Sequence, residues 1–482
     1  MPASPPRFSG RPVAARIFGA VDIGASSGRV IAGVIDAGTT TLHVIHRFAN
    51  GTSTVDGHLR WNLTNLYGEV LVGLRALATA FPDVESIGID TWAVDYGLLD
   101  ADGKLLSEPI SYRDNRTDGV IGDVHARVDP QEMYTVNGLQ FLPFNTVYQL
   151  AAEQQSPNWD QVVHVVLLPD LLAYWLTGEL RTEVTNASTT GLLDVHTGQW
   201  ATELFTNFGM AESLFPALEQ PGTQRGHIRP EVVRSTGLSS STVVTTVGSH
   251  DTASAVVAVP STDTHFAYIS SGTWSLAGLE LAVPIVTEDA RRANFTNEGG
   301  VDGRTRFLRN IGGLWLLQES LRSWAREGIQ VQLHHLLDEA EALRPSATRI
   351  DVDDTKFIAP GGMPARIRDA AGLSKTAGPA EVTRCILDSL ASAYRHTVHT
   401  AEELAGANVK SIAVVGGGSQ NSLLCQLTAN ESGLPVSSGP VEATALGNIL
   451  VQARSRGAAP SSLEEIRQTI AHTHQIRHYE PE

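Results

Sequence analysis

The chain has 482 residues, with 35 Lys and Arg against 52 Asp and Glu, a formal net charge of -17. At roughly 100 to 200 residues per domain, that length makes two to four domains and excludes a single small binding module. The acidic excess, with no basic run, excludes general binding of nucleic acid or anionic membranes, which needs clustered Lys and Arg, so any phosphate is held locally. Cys385 and Cys425 are the only cysteines. They are too few for a disulfide framework or a cysteine zinc site, a usage that fits a reducing cytosol. No stretch reaches the roughly 18 apolar residues of a membrane helix.

Residues 1–16 carry Pro, Ser and Arg without an apolar segment of signal-peptide length, which predicts a disordered extension. Two halves follow, expected at 17–247 and 248–482. An apolar strand, Ile17 to Ile23, stops at the turn Gly24 to Gly28 and resumes as a second strand, Val30 to Ile35. The periodicity predicts a helix over Leu63 to Ala80. Ser86 to Leu99 holds two apolar segments around Asp90 and Asp95. Val162 to Leu168 reads as a buried strand, and Leu168 to Thr177 as a helix that Gly178 stops. The join between halves falls near Val243 to Asp251, with Thr252 and Ser254 near a helix start. The opening pattern then returns as Phe266 to Ile269, a turn over Ser270 to Thr273, and Trp274 to Leu279. A helix is expected over Glu381 to Leu404, a strand over Ser411 to Val415, and a turn at Gly416 to Gly418. Helices over Asn421 to Ser432 and Ala443 to Arg454 close the chain, the last rich in small residues. Two halves opening with the same hairpin, each followed by alternating strands and helices, point to an internal duplication. They make a two-domain α/β protein with a cleft between the halves.

Three turns of glycine and hydroxyl residues follow apolar strands: Asp22 to Arg29, Ser270 to Trp274, and Gly416 to Asn421. Such turns expose backbone N–H groups, which bind phosphate without a net positive charge. Any one alone is more often a plain tight connection; three in one chain, two in duplicated positions, favour phosphate. Neither G-x-x-x-x-G-K-S/T nor G-x-G-x-x-G occurs, so a nucleotide is expected between the domains, held by backbone turns. Asp22, beside the first turn, either holds a hydrated Mg²⁺ against phosphate oxygens or closes a turn on its own backbone. Asp251 is either a helix N-cap or a general base that accepts a hydroxyl proton in phosphoryl transfer, with His250 and Thr252 flanking a polar substrate. The cluster Tyr112 to Thr117 is equally a sugar-orienting group and a structural ion-pair loop. Trp92 reads better as core filling than as a stacking platform. His396 and His399, one helical turn apart, lack a third metal ligand, and no Ser-His-Asp arrangement follows from spacing.

The segments VDIGASSGRV, GIDTWAVDYGLLD, YRDNRTDG, GLQFLPFNTVYQL, SHDTASAV, SSGTWSL, NEGG, RNIGGLWLLQ, VVGGGSQN and GPVEATALGN span about residue 17 to about 455. On these the chain resembles the FGGY carbohydrate kinases. The resemblance implies two actin-like, ribonuclease H-like α/β domains, with ATP in the cleft between them and a ketose deeper, mostly against the first domain. It implies Ala25, Ser26, Ser27, Gly28 and Arg29 at the first ATP phosphate turn, with Asp22 beside Mg²⁺. Thr273, Asn310, Gln318 and Gly416 are implied at the nucleotide, and His250, Asp251 and Thr252 at the sugar, Asp251 being the proton acceptor. Ala93 stands where the family's W-G-V-D segment commonly has a sugar-contacting glycine, so its methyl is expected to trim the pocket. The implied reaction is ATP-dependent phosphorylation of the 1-hydroxyl of L-rhamnulose, in L-rhamnose catabolism. The alternatives are another ketose, such as L-fuculose, or an actin-like ATPase that phosphorylates no sugar. A cytoplasmic monomer or small homo-oligomer is expected, with the sugar and ATP as its ligands.

Overall fold

The computed structural model describes residues 15–482; the expected extension, 1–16, lies outside the described residues except for its last two. Two large mixed sheets organise the chain. The first contains β1 (Arg16–Ile23), β2 (Ser27–Asp36) and β3 (Thr39–Ala49), then, after helix α1 (Leu63–Ala80), β4 (Val84–Thr91), β5 (Gln224–His227) and β6 (Val243–Thr245). Their order is β5-β6-β4-β1-β2-β3. Helix α2 (Asp251–Val257) leads into the second sheet: β7 (Phe266–Ser271), β8 (Trp274–Leu281), β9 (Thr296–Gly299) and β10 (Thr305–Gly312). Helices α3 (Trp315–Arg326) and α4 (Pro379–Ala405) precede β11 (Ser411–Val415). Helix α5 (Ser422–Ser432), β12 (Val436–Ser438), α6 (Ala443–Ser455) and β13 (Arg477–Tyr479) complete the half. The order is β9-β10-β8-β7-β11-β12-β13.

The two sheets repeat one pattern. β1 and β7 each pair antiparallel with the next strand, which pairs antiparallel with a third. On their other side each has two parallel neighbours and then an antiparallel edge strand. The duplicated hairpins of the sequence are thus the centres of two equivalent sheets, the second extended by β9.

Strands with parallel neighbours need cover on both faces and read as near-continuous apolar runs. In β1, Val21 and Ile23 pack with Leu66, Val70, Leu74 and Leu77 of α1. Phe18 and Ala20 on the other face pack with Ala445, Ile449 and Ala453 of α6. A helix from the second half therefore closes the first sheet, joining the halves through a common core. The same helix packs closely on α2, where a β-carbon on Gly447 would collide with the Ser254 carbonyl oxygen. Gly447→Val is expected to cost about 1 to 3 kcal/mol by overpacking, read by chemical denaturation, with Gly447→Ala losing less.

Candidate active site

The parallel register of β1 and β4 sets Asp22 beside Asp90 where both strands end, the place where open α/β sheets bind ligands. Both carboxylates are buried. Arg29, opposite Asp22 on β2, brings its guanidinium within 3.1 Å of Asp22 Oδ2. The same guanidinium pairs with Glu442 at the start of α6, which Arg47 also reaches at 3.2 Å. Asn448 of α6 donates to Asp90 Oδ2 at 2.6 Å. Asp22 Oδ2 and Asp90 Oδ1 nonetheless have no hydrogen-bond partner. Burial pushes the Asp22 carboxyl up to about 6 despite Arg29, with Asp251 and Glu442 adding to the rise. Burial and the neighbouring Asp22 charge push Asp90 well above the usual carboxylate range.

The first turn is closed by Gly24 N–H donating to Ser27 O at 2.9 Å, and the second by Gly272 N–H donating to Trp274 O at 2.9 Å. Because β7 and β11 are parallel neighbours, the third turn, opened by Gly416 at φ 80, lies against Ser271 of the second. Three strand-ending turns thus face one cleft.

His250, Asp251 and Thr252 start α2. Thr91 N–H donates to Ser249 O at 2.9 Å and Thr91 bridges His250, which ties this start to the end of β4. His250 stands at the N-cap position without a side-chain cap bond, and Asp251 is the first helical residue, so the N-cap reading of Asp251 does not hold. Thr252 Oγ1 donates to Asp251 Oδ1 at 3.1 Å, and His250 Nε2 lies 3.4 Å from that oxygen. The Asp251 side chain is 33% exposed, open to the cleft, while His250 is buried. Behind His250 lie Glu298 and Arg306. Burial alone raises Glu298, but the Arg306 guanidinium holds it below the usual range.

An aromatic arc completes the cavity. Trp92 stacks at a tilt on Trp61 at 4.4 Å; the two indole N–H groups donate to Asp95 Oδ2 at 2.9 and 2.6 Å. Tyr112, Phe144 and Trp274 follow, each ring 5.6 Å from the next. Trp92 both fills the core edge and lines the cavity. Val94 has φ 68, a strained left-handed conformation for a β-branched residue. Its carbonyl is held by Thr146 Oγ1 at 2.7 Å and by Gln149 at 3.3 Å. The Tyr112 to Thr117 cluster divides: Tyr112 faces the cavity, whereas Asp114 caps its own short helix and Arg116 pairs with Glu153 and Gln149.

One cavity of about 490 Å³ gathers Asp22, Ala25, Ser26, Ser27, Arg29, Ala93, His250, Asp251, Thr252, Thr273, Asn310, Gln318 and Gly416. Of the expected site residues Gly28 alone is not part of its wall; a β-carbon there would meet the Phe48 ring. Sequence reasoning singled out neither Gln140, Glu298 nor Glu442, all of which line the cavity. Gln140 Oε1 accepts from Asn310 N–H at 3.0 Å and from its side chain at 3.1 Å. Among the described residues no helix is long and apolar enough to cross a membrane, and both cysteines are buried and unpaired.

The FGGY family of carbohydrate kinases matches the chain by its N-terminal domain over residues 17–258 and by its C-terminal domain over residues 267–456. A rhamnulokinase of Bacteroides thetaiotaomicron is 39% identical over 472 residues, covering 96% of each chain. Among solved structures, gluconate kinase from Lactobacillus acidophilus superposes with a TM-score of 0.78 at 19% identity, over 97% of this chain and 94% of that one. Plasmodium falciparum glycerol kinase with ADP superposes with a TM-score of 0.77 at 16% identity, over 97% and 95%. Two domain matches that together span most of residues 17–456, a relative aligned almost end to end and a shared two-domain fold agree: the chain belongs to the FGGY family of carbohydrate kinases.

Proposed function

We propose that the chain transfers the γ-phosphoryl group of ATP to the 1-hydroxyl of L-rhamnulose, giving L-rhamnulose 1-phosphate and ADP. The observation that carries the transfer is the meeting of three N–H-rich turns with the open Asp251 carboxylate in one cavity. The identity of the sugar rests on the 39% identity to a rhamnulokinase. The arc of Trp92, Tyr112, Phe144 and Trp274 supports a 6-deoxy ketose, L-rhamnulose or L-fuculose alike, since an apolar wall suits the terminal methyl. Ala93, on the same wall, narrows the space for that sugar by one methyl.

In this reading residues 17–247 supply the sugar and first phosphate contacts and residues 248–482 the nucleotide contacts, with His250 to Thr252 at the join. Ala25 to Arg29 and Thr273 hold phosphate oxygens from opposite sides, and Asn310, Gln318 and Gly416 lie along the nucleotide. The sugar 1-hydroxyl sits against Asp251, which takes its proton as the phosphoryl group arrives, while His250 and Thr252 orient neighbouring oxygens. The residues fit a divalent cation: Asp22 Oδ2 and Asp90 Oδ1 are buried and accept no hydrogen bond, Asp22 meeting only the Arg29 guanidinium, and Mg²⁺ takes one or two carboxylates together with phosphate oxygens and water. Bound there, Mg²⁺ offsets charge on the phosphates. Closure of the two halves on both substrates excludes water and limits ATP hydrolysis.

The test is a coupled ADP-release assay with ATP and a panel of ketoses. ADP release is expected to depend on sugar, with kcat/KM for L-rhamnulose at least about tenfold above that for L-fuculose. A preference for L-fuculose overturns the substrate, and ATP hydrolysis indifferent to every sugar overturns the transfer.

A further inference from the structure

The charged pair beside His250, the buried Arg306 and Glu298 of the cavity wall, decides what the imidazole can do. Arg306, on β10, is fully buried. Its Nε donates to Gly299 O at 2.9 Å, and its Nη2 lies 3.0 Å from His250 Nδ1 and 3.2 Å from Glu298 Oε2. Glu298 Oε2, from β9, is itself 3.4 Å from the same Nδ1. On the opposite side of the ring, Nε2 lies 3.4 Å from Asp251 Oδ1 at the start of α2.

Two groups of opposite demand thus meet Nδ1. A guanidinium only donates and requires a bare nitrogen; a carboxylate only accepts and requires an N–H. Arg306 is the nearer and forms the hydrogen bond, whereas Glu298 Oε2 forms none and has its charge answered by the guanidinium. A proton on Nδ1 would set N–H against N–H at 3.0 Å.

We infer that Arg306 is a positioning residue that fixes His250 in the tautomer with bare Nδ1 and the proton on Nε2. The inference rests on the reading of His250 to Thr252 as the sugar pocket. With its proton on Nε2, His250 presents a donor to the cavity, to Asp251 in the free protein and to a substrate oxygen in the complex. An occupied Nε2 cannot take the proton of the attacking hydroxyl, so within the triplet that proton goes to Asp251. Arg306 and Glu298 belong to the second sheet, whereas His250 is bridged to the end of β4 in the first. The second half therefore sets the donor pattern of a pocket built mostly on the first.

Nitrogen-15 NMR of the full-length, histidine-labelled protein, free of sugar and nucleotide, reads the tautomer directly. His250 is assigned by the signals lost in His250→Gln. At neutral pH the wild-type ring is expected to show a protonated Nε2 and a bare Nδ1. Arg306→Met is expected to move the proton to Nδ1, toward Glu298, and Glu298→Gln to leave the wild-type pattern in place. A wild-type ring protonated on Nδ1, or an unchanged ring in Arg306→Met, overturns the inference. If Arg306→Met does not fold, the wild-type spectrum and Glu298→Gln decide, since a tautomer set by Glu298 would change in that variant. No sugar enters this measurement, so an error in the ketose appears in the ADP-release panel and leaves the tautomer result standing.

Discussion

Asp251→Asn is expected to lower kcat by about 10² to 10⁴ while leaving the KM for the sugar within a few-fold and the melting of the free protein nearly unchanged. The asparagine keeps an oxygen that can accept from Thr252 Oγ1 and from His250, the two contacts the carboxylate makes here. What it loses is the capacity to bind the hydroxyl proton. The structural cost is small for two reasons. The side chain is one third exposed, and the N-cap position of α2 belongs to His250. The remaining loss, an anion in the first turn of a seven-residue helix, amounts to about 0.3 to 1 kcal/mol. Steady-state kinetics with saturating ATP, beside a melting curve of the same preparation, separates chemistry from folding. Turnover within a few-fold of wild type removes Asp251 from the reaction; a large drop in melting temperature assigns the effect to structure instead.

The elements that the sequence defines most sharply are those whose ends carry their own chemistry. The helix expected over Leu63 to Ala80 occupies those residues because Asn62 caps it, accepting from Asn65 N–H at 3.0 Å. The helix expected over Leu168 to Thr177 ends at Gly178, which sits at φ 86 where a side chain would be strained. The apolar strands β1, β7 and β11 were equally plain. The sequence predicts no strands at β9 and β10, because their patterns are broken by polar residues, several of which line the cavity. Glu298 and Arg306 sit within them, buried but answering one another rather than the apolar core. β3, with most of its residues wholly or partly exposed, has no continuous apolar face to announce it.

Within the site the same division holds. The three turns and the His250 to Thr252 triplet are contiguous in sequence, so their composition could be weighed locally. Their partners are not. Glu442 pairs with Arg29 across 413 residues, and Asn448 reaches Asp90 across 358. Gln140 holds Asn310 across 170. Contacts at such separations leave no periodicity in either segment; the folding of α6 against the first sheet brings the first two together, and the meeting of the two halves the third. Asp90 stood out as a carboxylate inside an apolar run, yet nothing nearby indicated that it would lie beside Asp22.

That juxtaposition leads to the second large effect: Asp22→Asn is expected to abolish most activity while stabilising the free protein. Activity should fall by about 10² or more in kcat/KM, because the substitution removes one of the two buried carboxylates available to a cation among phosphates. Stability should move the other way. Burial raises the Asp22 carboxyl from an ordinary 3.8 to about 6. A raised carboxyl favours the folded state below the unfolded value, and that contribution disappears as pH rises through the folded value. At neutral pH the ionised group is therefore a burden on the fold, on the order of 1 to 3 kcal/mol, which a neutral amide of the same shape does not carry. The melting curves of the two proteins should coincide below about pH 4 and separate between about pH 4 and pH 6, with the variant the more stable above. Thermal melting across that range, without nucleotide or Mg²⁺, checks the sign. A variant less stable than wild type at neutral pH would show that the Arg29 pair, at 3.1 Å, outweighs the burial of the charge. With the expected sign, the buried carboxylate is retained at the expense of stability because the site needs its charge.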